Sequence, residues 1–526
     1  MNKQWWKGAV IYQIYPRSFQ DSNGDGIGDL PGILNQLDYL QWLGVDAIWL
    51  SPIFKSPMKD FGYDISDYRD IDPMFGTLAD FKDLLRESHK RNIKVIIDQV
   101  YNHTSDKHPW FIESMSSKDN PKSDWYIWVD GEKGKPPNNW LSYFGGSAWE
   151  WSEVRKQYYL HLFVKEQPDL NWRNPHVVDA VMDSIKYWLD MGVDGFRFDV
   201  VNMFYKDDRL RDDPKVEGRL SKVDYENYYR VFENDRPETL LAVEKINDLV
   251  NQYQDRVTIG EVGSPMGLPA YFLYTMPGRL DLAFNFEFKE INSYSPIKYK
   301  KLILDTEKLY QSIAWPSYVL GNHDSKRFTE RFKDLQDKKE KIQVLASMLL
   351  TMKGTAFIYY GEEIGMEDAE IPFEKIVDPA GRNLWPDYKG RDSARTPMQW
   401  DDGVFSSFSK VEPWLPVTDD YKVLNVKAQM SDQDSLLHFY KRLITLRKTS
   451  DAIKYGTIQF VDIDPNVLAY TRSFQNERIF VILNFSEKNI KLSGSLVNEF
   501  KKILLTNIEI QTVDSVIKPN EVRILK

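Results

Sequence analysis

Eight short apolar runs, each separated from the next by a segment long enough for a helix, constrain this chain more than any other feature. They are Val10 to Tyr15, Ala47 to Leu50, Lys94 to Val100, Gly195 to Val200, Val257 to Val262, Leu280 to Phe286, Tyr318 to Leu320 and Ala356 to Tyr360. A short apolar run flanked by helices reads as a buried parallel strand, and eight such units predict a closed (β/α)8 TIM barrel. No Gly-rich dinucleotide turn follows the first run, which disfavours an open doubly wound sheet. In a barrel the reacting side chains stand at the C-terminal strand ends, so the residues that end these runs carry the functional information.

The rhythm breaks twice. Between Thr104 and Asn174 it is replaced by a stretch rich in Trp, Pro, Gly and Lys that is too long for an ordinary loop, so residues 104–174 are expected to form an inserted subdomain over the barrel mouth. After Tyr455 the segments TIQFVDI, VLAYTRSF and ERIFVILNF alternate in polarity, and residues 455–526 are expected to form a C-terminal antiparallel β-sandwich domain. That leaves 1–103 and 175–454 for the barrel. Over 526 residues the formal net charge is −10 with Lys and Arg dispersed, so no nucleic acid and no anionic membrane surface is expected as a partner. The chain has no cysteine, which excludes disulfides, thiolate metal sites and a Cys nucleophile and fits a reducing compartment. Lys7 interrupts the N-terminal apolar run, and no stretch approaches the ~20 uncharged apolar residues of a membrane span, so a cytoplasmic monomer or weak homo-oligomer is expected.

The stretch GVDGFRFDV, Gly192 to Val200, holds the first chemical clue. Alternation puts Arg197 and Asp199 on one face, and an adjacent cation favours the ionised carboxylate that a nucleophile requires. A structural ion pair at a sheet end is the competing explanation. Glu261 stands at the tip of the fifth run, the seventh leads directly into Asn322, His323 and Asp324, and the third leads into DQVYNH with Asp98, Asn102 and His103. Three carboxylates brought to one rim, with Arg197, His103 and His323 beside them, carry an electrostatic cost that structure alone does not explain. In FGYD, after the second run, Tyr63 is placed to stack on a sugar face and Asp64 to accept from sugar hydroxyls. Arg391 is placed to answer Asp64 across the pocket, with Arg395 as the alternative. Just after the first run, DSNGDGIGD sets Asp21, Asn23, Asp25 and Asp29 among glycines, like the first half of a Ca²⁺ loop without its distant Glu; a structural Ca²⁺ or Mg²⁺ is expected there.

DQVYNH, GFRFD, the strand-tip Glu261, NHD, EQPDLNW, DSNGDGIGD and RTPMQW, in this order apart from the first-strand loop and EQPDLNW, together resemble the α-amylase superfamily of glycoside hydrolases, and within it the oligo-1,6-glucosidase and α-glucosidase branch. The resemblance covers nearly the whole chain. It implies Asp199 as nucleophile, kept ionised by Arg197, with Glu261 as general acid/base and Asp324 as the carboxylate that holds the distorted sugar. It further implies Arg197, His103 and His323 as hydrogen-bond donors, Phe163 and Gln167 as binding residues, and an Asp64–Arg391 pair that closes the pocket for exo action. No cofactor is implied for catalysis. Val200, directly after the nucleophile, resembles branch members that cut α-1,6 bonds, whereas Thr or Ala there accompanies α-1,4 cleavage; a plain strand-forming role for Val200 competes. The expected function is a retaining exo-α-glucosidase on short oligosaccharides such as isomaltose and panose. The alternatives are a maltase-type α-1,4 enzyme, a transglycosylase such as a sucrose isomerase, and a non-catalytic partner subunit.

Overall fold

The computed structural model describes residues 4–332, 336–492, 499–510, 513 and 515–526. Eight parallel strands follow the eight apolar runs: β1 (Val10–Ile14), β2 (Ala47–Leu50), β3 (Lys94–Gln99), β4 (Gly195–Phe198), β5 (Val257–Gly260), β6 (Leu282–Ala283), β7 (Ser317–Val319) and β8 (Thr355–Tyr359). They pair in sequence order, and β8 returns to β1. Between β6 and β7 the ring is completed by a parallel bridge from Asn285 to Tyr318 and by Ser317 Oγ, which donates to the Ala283 carbonyl at 2.7 Å. The barrel is therefore closed, and its strands are buried on both faces, which is why they read as continuous apolar runs.

β6 is much shorter than the run Leu280 to Phe286 predicts. The chain leaves the ladder because Asn285 caps a 3-10 turn over Phe286–Phe288, and Phe284 and Phe286 stack on each other at 5.6 Å instead of alternating across a strand. β4 ends early too. A helix over Pro175–Met191 leads into it, capped by Asn174 and stopped by Gly192 at φ 100°. Gly195 then begins the strand where β5 presses close, since a Cβ there would meet the Val257 carbonyl oxygen at 2.5 Å. Inside the barrel Ile11, Trp49, Ile96, Ile259 and Phe357 fill the core.

Beyond β3 a three-stranded antiparallel sheet, Trp128–Asp130, Gln157–Leu160 and Trp149–Ser152, interrupts the barrel. Toward the C-terminus a five-stranded antiparallel sheet runs through Thr457–Phe460, Val467–Phe474, Glu477–Asn484, Val522–Leu525 and Ile503–Thr506, with a two-stranded ribbon of Ile490–Lys491 and Val516–Ile517. Tyr470 of this sheet shares a 2.6 Å hydrogen bond with Thr351, which ends the buried helix Lys338–Thr351 leading back to β8. Among the described residues no helix is long and apolar enough to cross a membrane.

Candidate active site

The ladder continues past the strand ends and sets the reacting groups. Asp199 N donates to the Gln99 carbonyl and Glu261 N to the Phe198 carbonyl, both at 2.9 Å, so these two acids stand side by side at the C-terminal rim. Arg197, buried, reaches both. Its Nη1 donates to Asp98 Oδ1 and to Asp199 Oδ1, each at 2.7 Å, and its Nη2 donates to Glu261 Oε2. One guanidinium thus serves three carboxylates. Burial pushes Asp199 well above the usual carboxylate range; Arg197 pulls the other way, and Glu261, Asp98 and Asp324 add to the rise. Arg197 does favour the ionised Asp199, as its position predicts, but its single positive charge is divided among three carboxylates. Asp98 is raised to about 6, by burial first, despite Arg197.

At the far end of the pocket Arg391 does not meet Asp64. It donates through Nη2 to Asp60 Oδ1 at 2.7 Å and Asp378 Oδ1 at 2.6 Å, and through Nη1 to Asp324 Oδ1 at 3.1 Å. Asp64 is fully buried, and its oxygens are taken by Ser56 Oγ at 2.8 Å, Lys59 N at 2.9 Å and Asp60 N at 3.0 Å. Its place is inside the loop, where it holds Asp60 in position, because Phe61 and Gly62 at positive φ fold the turn so that Asp60 takes the pocket side. Arg395 supplies a second guanidinium to Asp324 Oδ1 at 3.0 Å, so both arginines act and neither replaces the other. Burial opposes it, but the guanidiniums of Arg391 and Arg395, with the hydrogen bond from His323 Nε2, hold Asp324 well below the ordinary value. Sequence reasoning missed Asp60 and Asp378. DFGYD offered two aspartates four residues apart, with no periodicity in a turn to choose between them.

With this geometry in place, comparison with known proteins is decisive. The family described as alpha amylase, catalytic domain, matches residues 13–456. This chain belongs to the alpha-amylase family. Among relatives of this alpha-amylase family member, it is 45% identical to the oligo-1,6-glucosidase of Parageobacillus thermoglucosidasius, over 100% of this chain and 99% of that one. Among solved structures it is similar to the alpha-glucosyl transfer enzyme XgtA, with a TM-score of 0.92 and 41% identity over 99% of both chains. It is similar as well to the trehalulose synthase MutB of Pseudomonas mesoacidophila, with a TM-score of 0.89 and 34% identity over 99% of both. The alpha-amylase fold here is that of a glycoside hydrolase, whose catalysis uses no cofactor.

The rest of this alpha-amylase site is a narrow cavity of about 90 Å³ walled by Tyr63, His103, Phe144, Phe163 and Val200 between the two charged ends. His323 stacks on Tyr63 with ring centroids 5.5 Å apart. Gln13 Nε2 lies 2.7 Å from His323 Nδ1 and donates to it, which leaves the imidazole proton on Nε2, where the Tyr63 hydroxyl at 2.6 Å and Asp324 Oδ2 at 3.1 Å receive it. Burial holds His103 at about 4, so it is neutral at pH 7. Gln167 is buried behind the pocket, 3.1 Å from both His103 Nε2 and Asp60 Oδ2, so it supports the wall from behind and does not line it. Val200 lines the cavity but is no strand residue: it sits at φ 35°, ψ 45°, a left-handed conformation that costs a β-branched side chain about 1–3 kcal/mol. Its N–H donates to Glu261 Oε2 at 3.3 Å.

In the loop after β1, Asp21 accepts from Gly24 N at 2.7 Å, Gly26 N at 2.9 Å, Asn23 N at 3.0 Å and Ser409 Oγ at 2.6 Å. Asp29 caps the helix Leu30–Asn35 through Gly32 N at 2.6 Å and accepts from Ser22 Oγ at 2.8 Å. Among the described residues no group of three or more His, Cys, Asp or Glu side chains converges as a ready metal site.

Proposed function

We propose that this chain is a retaining, exo-acting α-glucosidase that hydrolyses terminal α-glucosidic bonds of short oligosaccharides and prefers α-1,6 bonds. The observation that carries the reading is the placement of Asp199 and Glu261 on neighbouring strand ends, bridged by Arg197, in a pocket whose far end is shut by Asp60 and Arg391. In this reading Asp199 attacks the anomeric carbon while Glu261 protonates the departing glycosidic oxygen. Glu261 then takes a proton from water, which displaces Asp199 and releases glucose with retained configuration. At the moment of attack Glu261 must carry the proton it delivers and Asp199 must be ionised. Asp324, ionised between two arginines, accepts from ring hydroxyls, and neutral His103 and His323 hold the orientation of the groups around it. A pocket with a charged floor admits one terminal ring, which supports exo action.

For the linkage, the support is full-length similarity to proteins named oligo-1,6-glucosidase together with Val200 at the pocket wall. The test is the ratio of kcat/KM for isomaltose to that for maltose. A ratio well above one is expected; a ratio well below one makes the enzyme a maltase-type α-glucosidase. Likeness to an alpha-glucosyl transfer enzyme supports a second reading, glucosyl transfer to a sugar acceptor. Product analysis with concentrated isomaltose or sucrose separates the two, since hydrolysis yields free monosaccharide and transfer yields rearranged or longer sugars.

The Asp21–Asp29 loop we take as the place for a structural Ca²⁺ or Mg²⁺. Each side-chain oxygen of Asn23 and Asp25, and Asp29 Oδ1, accepts a single hydrogen bond, which leaves acceptor capacity for an ion, whereas both Asp21 oxygens already accept two. Chelation should then lower Tm and leave kcat unchanged in protein that stays folded. A Tm indifferent to both chelator and added Ca²⁺ removes the ion. The absence of cysteine supports a cytoplasmic setting.

A further inference from the structure

The pocket wall that faces away from the carboxylates is one end of a longer construction. Phe163 and Phe144, which line the cavity, meet edge to face at 5.6 Å. Behind Phe163 lies Tyr143, stacked at 5.4 Å with the rings 20° from parallel. The column of three rings has a guanidinium at each end. Arg391, the same residue that holds Asp60 and Asp324, lies 4.9 Å from the Phe144 ring centre. At the opposite end the Arg230 guanidinium lies 3.4 Å from the Tyr143 ring centre.

Arg230 belongs to the irregular segment after β4, far in sequence from the rings, and it is held with care. Its Nε and Nη2 are paired to the fully buried Glu233, and Nη2 donates to the Leu141 carbonyl at 2.7 Å. Asp213 Oδ1 accepts from Val231 N at 3.0 Å and Phe232 N at 3.1 Å, which fixes the turn between the two charged residues. A buried Arg–Glu pair is a poor source of stability. What it does here is aim a flat cation at the outer face of Tyr143, a face that an aromatic quadrupole makes attractive to it.

We infer that Arg230 is a positioning residue for glucose binding: with Glu233 as its anchor it clamps Tyr143 onto Phe163, and so fixes the aromatic wall against which the terminal sugar ring rests. This rests on the glucosidase reading of the pocket and extends its machinery to a residue that touches no substrate. Because the wall contacts the ring both before and during reaction, its loss should appear mainly as uniform weakening of binding.

The test compares wild type with Arg230→Met, which keeps the bulk and removes the charge, and with Arg230→Lys, which keeps a charge for Glu233 but not the flat plate. Glucose Kd is measured by calorimetry, and KM and kcat are measured with p-nitrophenyl α-glucoside. Both variants should show roughly a three- to tenfold rise in glucose Kd and in KM, with kcat within about twofold. Adding Tyr143→Leu to Arg230→Met should bring no further rise, since one stack is being broken twice. Unchanged Kd and KM in either folded variant, whatever happens to Tm, overturn the proposal and leave Arg230 as a staple of its loop. Because glucose binding is read without turnover, a failure of the clamp is distinguishable from a failure of the glucosidase reading, which wild-type turnover of isomaltose tests separately.

Discussion

The two ends of the pocket are both built from guanidiniums and carboxylates and hold charge in opposite ways. At the reacting end a single guanidinium, Arg197, is divided among Asp98, Asp199 and Glu261. At the closing end Arg391 and Arg395 serve Asp60, Asp324 and Asp378. Where cations are scarce, Asp199 rises well above its ordinary value; where they are plentiful, Asp324 and Asp378 are driven below theirs although burial opposes it. Asp60 is the exception at the closing end, raised by complete burial despite Arg391. The lesson concerns protons. Three carboxylates share one guanidinium at the end proposed to move a proton and two at the end proposed to grip hydroxyls.

The sharpest way to break this comparison is at Asp199. Asp199→Asn should abolish hydrolysis of isomaltose, by on the order of 10⁴-fold or more in kcat, and should leave no trapped glucosyl-enzyme in mass spectra of quenched reactions. Glu261→Gln should cost unactivated substrates on the order of 10²- to 10⁴-fold, while an α-glucoside with a leaving group that needs no protonation still forms the covalent intermediate. The pH profile adds the sign. Asp199 attacks only when ionised, so activity falls as pH drops through its raised value, and the acid limb lies above that of a free aspartate.

At the closing end the effects are smaller. Asp60→Ala should lower kcat/KM for isomaltose on the order of 100-fold, since it strips one partner from a buried arginine. Asp64→Asn should leave kcat/KM within a few-fold but lower unfolding free energy by about 1–3 kcal/mol, measured by denaturant melts, because Asp64 serves the loop alone. The reverse ranking would return Asp64 to the pocket. The smallest effect belongs to Val200: Val200→Thr should shift the isomaltose-to-maltose ratio of kcat/KM toward maltose by roughly three- to tenfold, as expected for a methyl-sized change at a pocket wall.

Most of the architecture was legible in the sequence because barrel strands are buried on both faces and leave uninterrupted apolar runs. Asp199, Glu261 and Asp324 were legible for the same reason: each lies at or just beyond the end of one of those runs, and barrel closure brings the ends together. What was illegible lies where no period operates. In DFGYD the choice between Asp60 and Asp64 depends on how Phe61 and Gly62 turn the backbone, and local alternation says nothing about a turn. The seven-residue run at Leu280 hid a strand of only Leu282–Ala283, because stacked phenylalanines look like strand formers until Asn285 ends the ladder. The upward push on Asp199 was hidden as well. Neighbouring letters placed Arg197 beside it, but only the fold reveals how many other acids claim the same guanidinium.

Val200 carries a consequence for anyone who engineers this enzyme. At φ 35° glycine would rest more easily than valine, so selection for thermal tolerance should favour glycine or asparagine at this position. The same replacement removes the methyl groups that border the nucleophile. If Val200 selects the bond as proposed, robustness and bond preference are tied to one backbone angle, and variants chosen for surviving heat should drift toward broader diets unless bond preference is screened alongside.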